Sequence, residues 1–354
     1  MKPIYTVLLS ILILSFVISG CGQSIQTNTS QLMETPYKKT EFLMGTVITI
    51  SIYDEEKEDA LDLAFARIET LAEKLAVNNK DSEVDLINEN AGVKPYKVSD
   101  EVYDVILAGK EYSERAKGSF DISIGSLTSL WHIGYPDERK PLQSEIDAVL
   151  PLINYQNIEL NEEEHTVFLK NKGMKLDLGA IAKGYIADQA VCVLNSNKVT
   201  TAIINLGGNI YVMGNNPSGN KWTIGIQDPF SARENIVGNI SVSNKSVVTS
   251  GIYERYLEVD GVKFHHLLNP KDGYPIHNDI AGITIISDKS IDGDALSTSL
   301  FTKGIKEALN YIEKMEGVEA IFVSRDKKIY MTPGIKNNFK LVNSQFEVEE
   351  KPLS

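Results

Sequence analysis

The chain has 354 residues, 42% hydrophobic and 23% charged, which is the composition of a folded globular protein with room for one large domain or two ordinary ones. Its formal net charge of −13 repels phosphate backbones, so we expect no nucleic-acid partner. Cysteine occurs only at positions 21 and 192, which excludes a disulfide framework in the mature chain and a cysteine-based zinc site.

The N-terminus has the pattern of a secretory signal, because Lys2 is followed by an apolar run that ends in small residues before Cys21. The run is short for a membrane span and stops at a Gly-Cys pair. This favours a lipoprotein signal peptide at residues 1–20 over a plain transmembrane anchor or a secreted chain with a chance cysteine. The letters "ISGC" resemble the lipobox of bacterial lipoproteins, in which Cys21 becomes the lipidated N-terminus. We therefore expect an exported bacterial lipoprotein, anchored by its lipid to the outer face of the cell membrane.

Three regions follow this signal. Residues 21–38 are polar and have no clear period, which predicts a flexible tether. Residues 39–340 show no internal repeat and no clean linker, which predicts one large domain. Residues 341–354 are expected to be a frayed tail.

The domain mixes strand and helix patterns without a strict βαβ rhythm, which predicts the α+β class. Alternating apolar residues predict a strand at 41–53, and helical spacing predicts helices at about 56–77 and at 99–116, with Ser99 as N-cap of the second. The other predicted elements are a hairpin at 157–171, a helix at 179–197, a strand at 201–214 broken by Gly207 and Gly208, a series of short strands, helices near 292–302 and 304–315, and closing strands at 318–324 and 327–332.

The helix predicted at 179–197 has an unusually small first turn. Gly179, Ala180 and Ala182 leave its backbone open to a bulky ligand, and Lys183 lies where a cation meets a phosphate. A tightly packed helix with one surface lysine explains the same letters equally well. The Gly-Gly break at 207–208 allows a ligand to approach closely, or forms a bulge.

Two adjacent histidines, His265 and His266, lie on a predicted strand. Side chains alternate along a strand, so the two rings point to opposite faces and do not share a metal ion. We expect one of them to face a pocket and the other to face solvent or the core. A structural role is also compatible with either.

The letters "DGDALSTSLF" at 292–301 begin another predicted helix. Asp292 is a favoured N-cap, and carboxylates at helix starts are mostly caps. Asp294 and Thr298 are four residues apart and share one helix face. A carboxylate and a hydroxyl oxygen suit Mg²⁺ rather than zinc, and Mg²⁺ usually takes further ligands from water and substrate phosphates. A plain cap and a metal site beside a nucleotide are therefore the two interpretations.

Seven segments in this order resemble the ApbE family, the FAD:protein FMN transferases, over roughly residues 40–330. The segments are "MGT" at 44–46, "GSFDISIG" at 118–125, "DLGAIAKGYIAD" at 177–188, "NLGGNI" at 205–210, "TSGIYERY" at 249–256, "HHLLNPKDGYPI" at 265–276 and "DGDALSTSLF". The resemblance implies a single T-fold-like α+β domain with mixed or antiparallel sheets and flanking helices, with FAD bound in a cleft. It also favours the metal interpretation of Asp294.

The resemblance implies roles for single residues as well. Ala180 (through its carbonyl), Asp294 and Thr298 match the magnesium site, and Asp294 also counts as catalytic. His266 matches the proposed catalytic base, although His265 lies beside it. Asn78 stands where family members often carry a tyrosine that stacks on the isoalloxazine, so this stacking is lost or supplied by another residue. The other positions that match flavin contacts are Met44, Ser119, Phe120, Asp121, Asp177, Lys183 and Leu268.

The implied activity is Mg²⁺-dependent transfer of FMN from FAD to a Thr or Ser hydroxyl, with release of AMP. The implied acceptor is an exported or membrane redox protein with a D-G-x-[ST] motif. The chain's own Asp-Gly pairs, at 260, 272 and 292, lack the hydroxyl, so we expect no self-flavinylation. Two alternatives stay open: an FAD pyrophosphatase that yields FMN and AMP, and a non-catalytic flavin-binding lipoprotein that needs no metal.

Overall fold

A computed structural model describes residues 31–77, 79–231 and 234–349, so the predictions for Cys21 and Asn78 lie outside the described residues. The α-helices in this part of the chain are α1 Asp59–Leu75, α2 Glu83–Glu89, α3 Asp100–Arg115, α4 Gly125–Trp131, α5 Gln143–Val149, α6 Ala182–Ser196, α7 Ser290–Phe301 and α8 Ile305–Ile312. The strands are β1 Leu32–Leu43, β2 Thr46–Asp54, β3 Tyr96–Lys97, β4 Ile158–Asn161, β5 Thr166–Leu169, β6 Ala202–Leu206, β7 Asn209–Met213, β8 Trp222–Gln227, β9 Ile236–Val242, β10 Lys245–Gly251, β11 Tyr256–Val259, β12 Val262–His265, β13 Ile280–Ser287, β14 Glu319–Ser324, β15 Lys328–Met331, β16 Phe339–Leu341 and β17 Glu347–Val348.

Nine of the described strands form one sheet, the large sheet, in the order β1-β2-β6-β7-β10-β13-β14-β15-β17. Neighbouring strands are antiparallel except β15 and β17, which are parallel. Alternation sets the faces of the sheet: Ile48, Ile50 and Ile52 of β2 are fully buried, and the residues between them are not. Every residue of β13 is buried, because apolar cores cover both faces of this central strand.

Helices cover one face of the large sheet and form the largest apolar core with it. In α1, Leu61, Phe65 and Ile68 recur at helical spacing and are buried in this core. Helix α7 lies against β10 and β13, and α6 lies between α1 and α7. The core therefore holds the first turns of α6 and α7 in fixed positions beside the sheet.

Two smaller cores complete the fold. The first lies on the opposite face of the large sheet, where β8, β9 and β16 form a three-stranded sheet. The second surrounds the fully buried Trp131 and joins α4 and α5 to the β11–β12 hairpin. The indole N–H of Trp131 donates to the carbonyl of Gly273 at 2.8 Å. This third core thus supports the hairpin that ends at His265.

The helices and the 157–171 hairpin predicted from the sequence are present with shifted ends, and the α+β class is confirmed. The strand predicted at 41–53 is wrong, because Met44 and Gly45 have positive φ values (53° and 69°) and form a turn between β1 and β2. β1 begins inside the predicted tether, where its backbone pairs with β2. Residues 341–349 are not frayed, because Phe346 is buried and β17 pairs with β15. None of the helices among the described residues is long and apolar enough to cross a membrane.

Candidate active site

Two glycine-containing turns meet at one end of the large sheet. The Met44–Gly45 turn precedes β2, and the Gly207–Gly208 turn joins β6 to β7, which are the next strands in the sheet. A β-carbon on Gly207 would lie 2.0 Å from Oγ1 of Thr46, so only glycine permits this contact. The fold therefore brings the predicted flavin-contacting Met44 next to the Gly-Gly break.

Helices α6 and α7 approach each other closely at the first turn of α6. A β-carbon on Gly184 would lie 2.4 Å from the carbonyl oxygen of Ser290. The backbone N–H of Gly184 donates to Oδ2 of Asp294 at 2.6 Å. The small residues at the start of α6 thus serve tight helix packing, and this packing places a backbone donor on the Asp294 carboxylate.

The Asp294 carboxylate is only 3% exposed and receives donors from separate elements. Its Oδ1 accepts a hydrogen bond from Nδ2 of Asn209, the first residue of β7, at 3.0 Å. The ammonium group of Lys183 lies 3.7 Å from the same oxygen, and its side chain is 32% exposed. The structure therefore joins the "AKG", "GGN" and "DGDA" segments at one buried carboxylate, with a lysine between that carboxylate and solvent.

The first turn of α7 is capped by α6 rather than by Asp292. Asp188 accepts hydrogen bonds from the N–H groups of Ser290 (2.7 Å) and Ile291 (3.0 Å). The predicted N-cap at Asp292 is wrong, since the helix begins at Ser290 and Asp292 accepts from the hydroxyl of Tyr112 at 2.6 Å. Burial raises the pKa of Asp188 to about 6. Because these N–H groups already donate to Asp188, they are not free to bind a phosphate.

The residues predicted for magnesium supply oxygen donors of the right chemistry. Asp294 and Thr298 both lie on α7, one turn apart, and Ala180 lies in the turn just before α6. Within the described residues, the Thr298 hydroxyl has no hydrogen-bond partner, and no hydrogen bond joins Asp294 to Ala180 or Thr298. No group of three or more His, Cys, Asp or Glu residues in that part of the chain is arranged to hold a metal ion. This donor set fits Mg²⁺ that takes most ligands from water and phosphate.

The two neighbouring histidines differ in which ring nitrogen is open. In His265, Nε2 contacts the carbonyl of Ile276 at 2.9 Å, and Nδ1 is buried without a hydrogen-bond partner. In His266, Nδ1 lies 3.2 Å from the carbonyl of Arg255. A carbonyl oxygen only accepts, so Nδ1 of His266 carries the proton and its Nε2 keeps a free lone pair. The half-buried ring of His266 can offer that lone pair to a substrate, whereas His265 is enclosed.

Both histidines are held in the neutral form. Burial lowers the pKa of His265 to about 4, and it also lowers the pKa of His266 well below its usual range. The positive charges of Arg255 and Lys183 lower the pKa of His266 further. A neutral imidazole with an open Nε2 is the form that can accept a proton.

The remaining predicted flavin contacts lie on loops or in the core. Phe120 is buried with its ring edge-on to Tyr112, and the Ser119 hydroxyl donates to a carbonyl of its own turn. Oδ1 of Asp177 accepts from the N–H of Gly179 at 2.8 Å. The structure places Leu268 in the third core, beside the bridge to Pro275.

Asp121 lines a cleft of about 440 Å³ whose other walls are the segments at 153–156 and 270–271. Its carboxylate is 6% exposed, and burial raises its pKa. Oδ1 accepts from the N–H and the hydroxyl of Ser123, and Oδ2 accepts from the N–H of Tyr155 at 2.9 Å. Asp121 therefore shapes the wall of the cleft by tying two loops together.

Sequence reasoning missed three polar contributors, namely Asn209, Asp188 and the backbone N–H of Gly184. Asn209 and Gly184 lie inside segments that drew attention for their glycines and lysine, yet nothing in the letters showed their contact with Asp294. The apolar helical pattern around Cys192 predicts a buried side chain, and this prediction is wrong because Cys192 is exposed on α6.

Comparison with known proteins decides the family. The profile of the ApbE family matches residues 44–322. This chain belongs to the ApbE family. A protein named FAD:protein FMN transferase from Klebsiella pneumoniae (strain 342) is 38% identical over 88% of this chain and 96% of its own length. One of the same name from Treponema pallidum (strain Nichols) is 31% identical over 88% of this chain and 91% of its own.

Solved structures agree with this membership. The ApbE protein of Thermotoga maritima has a TM-score of 0.79 at 28% identity, with 85% of this chain and 98% of that chain covered. Flavinyl transferase ApbE of Pseudomonas stutzeri has a TM-score of 0.72 at 26% identity, over 86% of this chain and 94% of that chain. The predicted family, its fold and the transferase class of enzyme are confirmed, whereas the roles of single residues stay predictions.

Proposed function

We propose that this chain transfers FMN from FAD to a Thr or Ser hydroxyl of another protein, with Mg²⁺ bound and with AMP as the second product. The observation that carries the proposal is the buried Asp294 carboxylate, which two donors fix and beside which the ammonium group of Lys183 lies. The relatives named FAD:protein FMN transferase support the choice of donor and of protein acceptor.

Asp294, Thr298 and the carbonyl of Ala180 would hold the metal ion. When bound, Mg²⁺ neutralises charge on the diphosphate oxygens, which lowers the barrier to phosphoryl transfer. Lys183 is placed to pair with a phosphate oxygen, because its ammonium group lies beside the carboxylate and its side chain is partly open to solvent. These charges bind and orient the diphosphate.

The acceptor hydroxyl oxygen forms a new bond to the phosphorus of the FMN half, and the bond from that phosphorus to the oxygen of AMP breaks. Nε2 of His266 is the group available to take the hydroxyl proton, since Nδ1 is engaged by the carbonyl of Arg255. The lowered pKa of His266 keeps it unprotonated at neutral pH, which is the state a base requires. The product is a phosphoester of FMN on the acceptor.

The acceptor is proposed to be an exported or membrane redox protein with a D-G-x-[ST] motif. A lipid on Cys21 would hold the domain at the outer face of the cell membrane, within reach of such a protein. Replacing Cys21 with serine in cells should move the protein from the membrane fraction to the soluble exported fraction. Retention at the membrane would exclude the lipid on Cys21 as the anchor.

The function is tested by incubating the purified chain with FAD, Mg²⁺ and a peptide that carries the acceptor motif. A peptide with the added mass of an FMN phosphoester, formed without chelator and absent with it, supports transfer. Free FMN and AMP with unlabelled peptide would instead favour the pyrophosphatase. Bound FAD without any metal-dependent AMP release would favour a flavin carrier.

Two matched variants on one helix link the result to the site. Asp294→Asn removes the carboxylate that the proposal requires, so AMP release should fall at least about 100-fold, as for loss of one transition-state electrostatic contact. Asp292→Asn changes a carboxylate two residues away that binds Tyr112, and it should keep most of the activity. Equal activity of the two variants would remove Asp294 from the mechanism.

A further inference from the structure

A buried chain of polar side chains ends at the Asp294 carboxylate. The hydroxyl of Ser246 donates to that of Ser290 at 2.9 Å, and the Ser290 hydroxyl donates to Oδ1 of Asn209. Nδ2 of Asn209 then donates to Oδ1 of Asp294 at 3.0 Å. Ser246 and Ser290 are fully buried, and Asn209 is 1% exposed. Burying polar groups this deep in a core is unfavourable unless each group has a hydrogen-bond partner, so this row of hydrogen-bonded side chains calls for a specific explanation.

The direction of this chain is fixed by chemistry. The carboxylate of Asp294 has no proton to give, so the amide of Asn209 must turn its NH₂ group toward it. The carbonyl end of the same amide then faces Ser290, whose hydroxyl is placed to donate. A flipped amide would place its oxygen against the carboxylate and would leave the Ser290 hydroxyl without its acceptor. Asn209 is therefore locked in one orientation.

We propose that Asn209 is a positioning residue for the Asp294 carboxylate, held in place by Ser290 and Ser246. Its amide engages one lone pair of Oδ1, and the N–H of Gly184 engages Oδ2 from the other side. Two donors from separate elements stop the carboxylate from rotating and leave further lone pairs free. The inference rests on the proposed function, because a divalent cation is the ligand that such a fixed carboxylate would serve.

This role predicts a defect in cation affinity rather than a general loss of stability. Replacing a residue that orients a metal ligand typically lowers the metal affinity about 10- to 100-fold. Asn209→Leu keeps the approximate volume and removes both hydrogen bonds. Ser246→Ala removes only the far end of the chain and should weaken binding by less than about tenfold, since Asn209 and Ser290 still meet.

Asn278→Leu is a matched control on the other end of α7. The amide of Asn278 also makes two hydrogen bonds, to the carbonyl of Phe301 (2.6 Å) and from the N–H of Ile280 (3.0 Å). Its loss should destabilise the same helix without touching the carboxylate. A purely structural role for Asn209 would make the two Asn→Leu variants behave alike.

The experiment titrates Mn²⁺ alone into the purified full chain and reads free Mn²⁺ by its EPR signal, with thermal unfolding in chelator as the check on folding. The expected result is binding that Asp294→Asn abolishes, that Asn209→Leu weakens about 10- to 100-fold and that Asn278→Leu leaves unchanged. If Asn209→Leu does not fold, Ser290→Ala decides, because it removes the hydroxyl that donates directly to Oδ1 of Asn209, and wild-type affinity in that variant overturns the inference.

The outcomes separate the two proposals. Wild-type Mn²⁺ affinity in Asn209→Leu overturns the positioning role and leaves the proposed function standing, because Asp294→Asn still loses binding. Equal Mn²⁺ binding by the wild type and Asp294→Asn, or no binding by either, overturns both the metal role of Asp294 and the role of Asn209. Equal weakening in Asn209→Leu and Asn278→Leu reduces Asn209 to a structural residue and overturns the inference.

Discussion

Replacing Gly184 with alanine tests whether the close approach of α6 and α7 holds the site together. The added β-carbon would lie 2.4 Å from the carbonyl oxygen of Ser290 and 2.6 Å from Cα of Ile291. The second distance is about 0.9 Å short of the roughly 3.5 Å at which two carbon atoms pack without repulsion. Both obstacles are backbone atoms, so no side-chain rotation can relieve them, and the two helices must separate.

The expected change in the free energy of unfolding of Gly184→Ala follows from two opposing effects. Overpacking of a core costs up to about 3 kcal/mol, and a backbone clash belongs at the upper end of that range. Alanine regains about 1 kcal/mol over glycine in a helix. We therefore expect the free energy of unfolding to fall by about 2 kcal/mol. Helix separation also lengthens the hydrogen bond from Gly184 to Asp294, so FMN transfer should fall more than tenfold, in line with loss of about 1.4 kcal/mol.

Urea unfolding measures the first effect and the peptide-transfer assay measures the second. Gly109→Ala is the matched control, because this glycine is also buried in a helix but the atoms nearest to its β-carbon would belong to the side chain of Ile122 and not to the backbone. That variant should lose less stability and keep its transfer rate. If Gly184→Ala unfolds at the wild-type urea concentration and transfers FMN at the wild-type rate, the reasoning from helix contact is refuted.

Three further predictions concern other parts of the molecule. The raised pKa of Asp188, about 6, means that the folded state binds its proton more tightly than the unfolded state. The protonated Asp188 side chain therefore stabilises the fold most below pH 4, and this stabilisation declines as the pH rises to 6. The melting temperature of Asp188→Asn minus that of the wild type should increase over this window. A decrease would show that the capping hydrogen bonds outweigh burial. Trp131→Ala should cost about 3 to 5 kcal/mol by urea unfolding, because the buried ring fills the third core, and Trp131→Phe should cost clearly less; equal losses would contradict the packing argument. His266→Gln should lower FMN transfer about 10²- to 10⁴-fold with little change in stability, whereas His265→Gln should lower stability and leave transfer within about tenfold; the reverse pattern would make His265 the base.

Local patterns in the sequence predicted the five longest of the described helices, because their apolar residues repeat at helical spacing, and missed the seven-residue helices α2, α4 and α5. The 3.6-residue spacing in α1 and the start of α3 after Ser99 are visible in the letters, although the Ser99 hydroxyl makes no capping hydrogen bond. The hairpin at β1–β2 was missed because Met44, a non-glycine residue, adopts a positive φ at its turn. The alternating pattern of 41–53 runs through that turn, so periodicity alone could not reveal it.

In the candidate site, too, the sequence predicted contacts between nearby residues and missed those between distant ones. Asp294 and Thr298 lie on one helix, so their spacing alone predicts a shared face. Asp188 binds the N–H of Ser290, 102 positions away, and Asn209 binds Asp294, 85 positions away. A single sequence carries no sign of such long-range contacts. The N-cap prediction for Asp292 failed for the same reason, since a carboxylate from another helix took that role.

The hydrogen bond from Gly184 to Asp294 joins residues that are 110 positions apart. Among the described residues, eight strands, β6 to β13, lie between them along the chain and must find their neighbours first, and closing such a long loop is entropically slow. A nascent chain, or a fragment cut anywhere in that interval, therefore has no assembled carboxylate centre. Turnover of FAD would then report that synthesis and closure of the whole domain are complete, which keeps an unfinished enzyme from consuming its flavin donor.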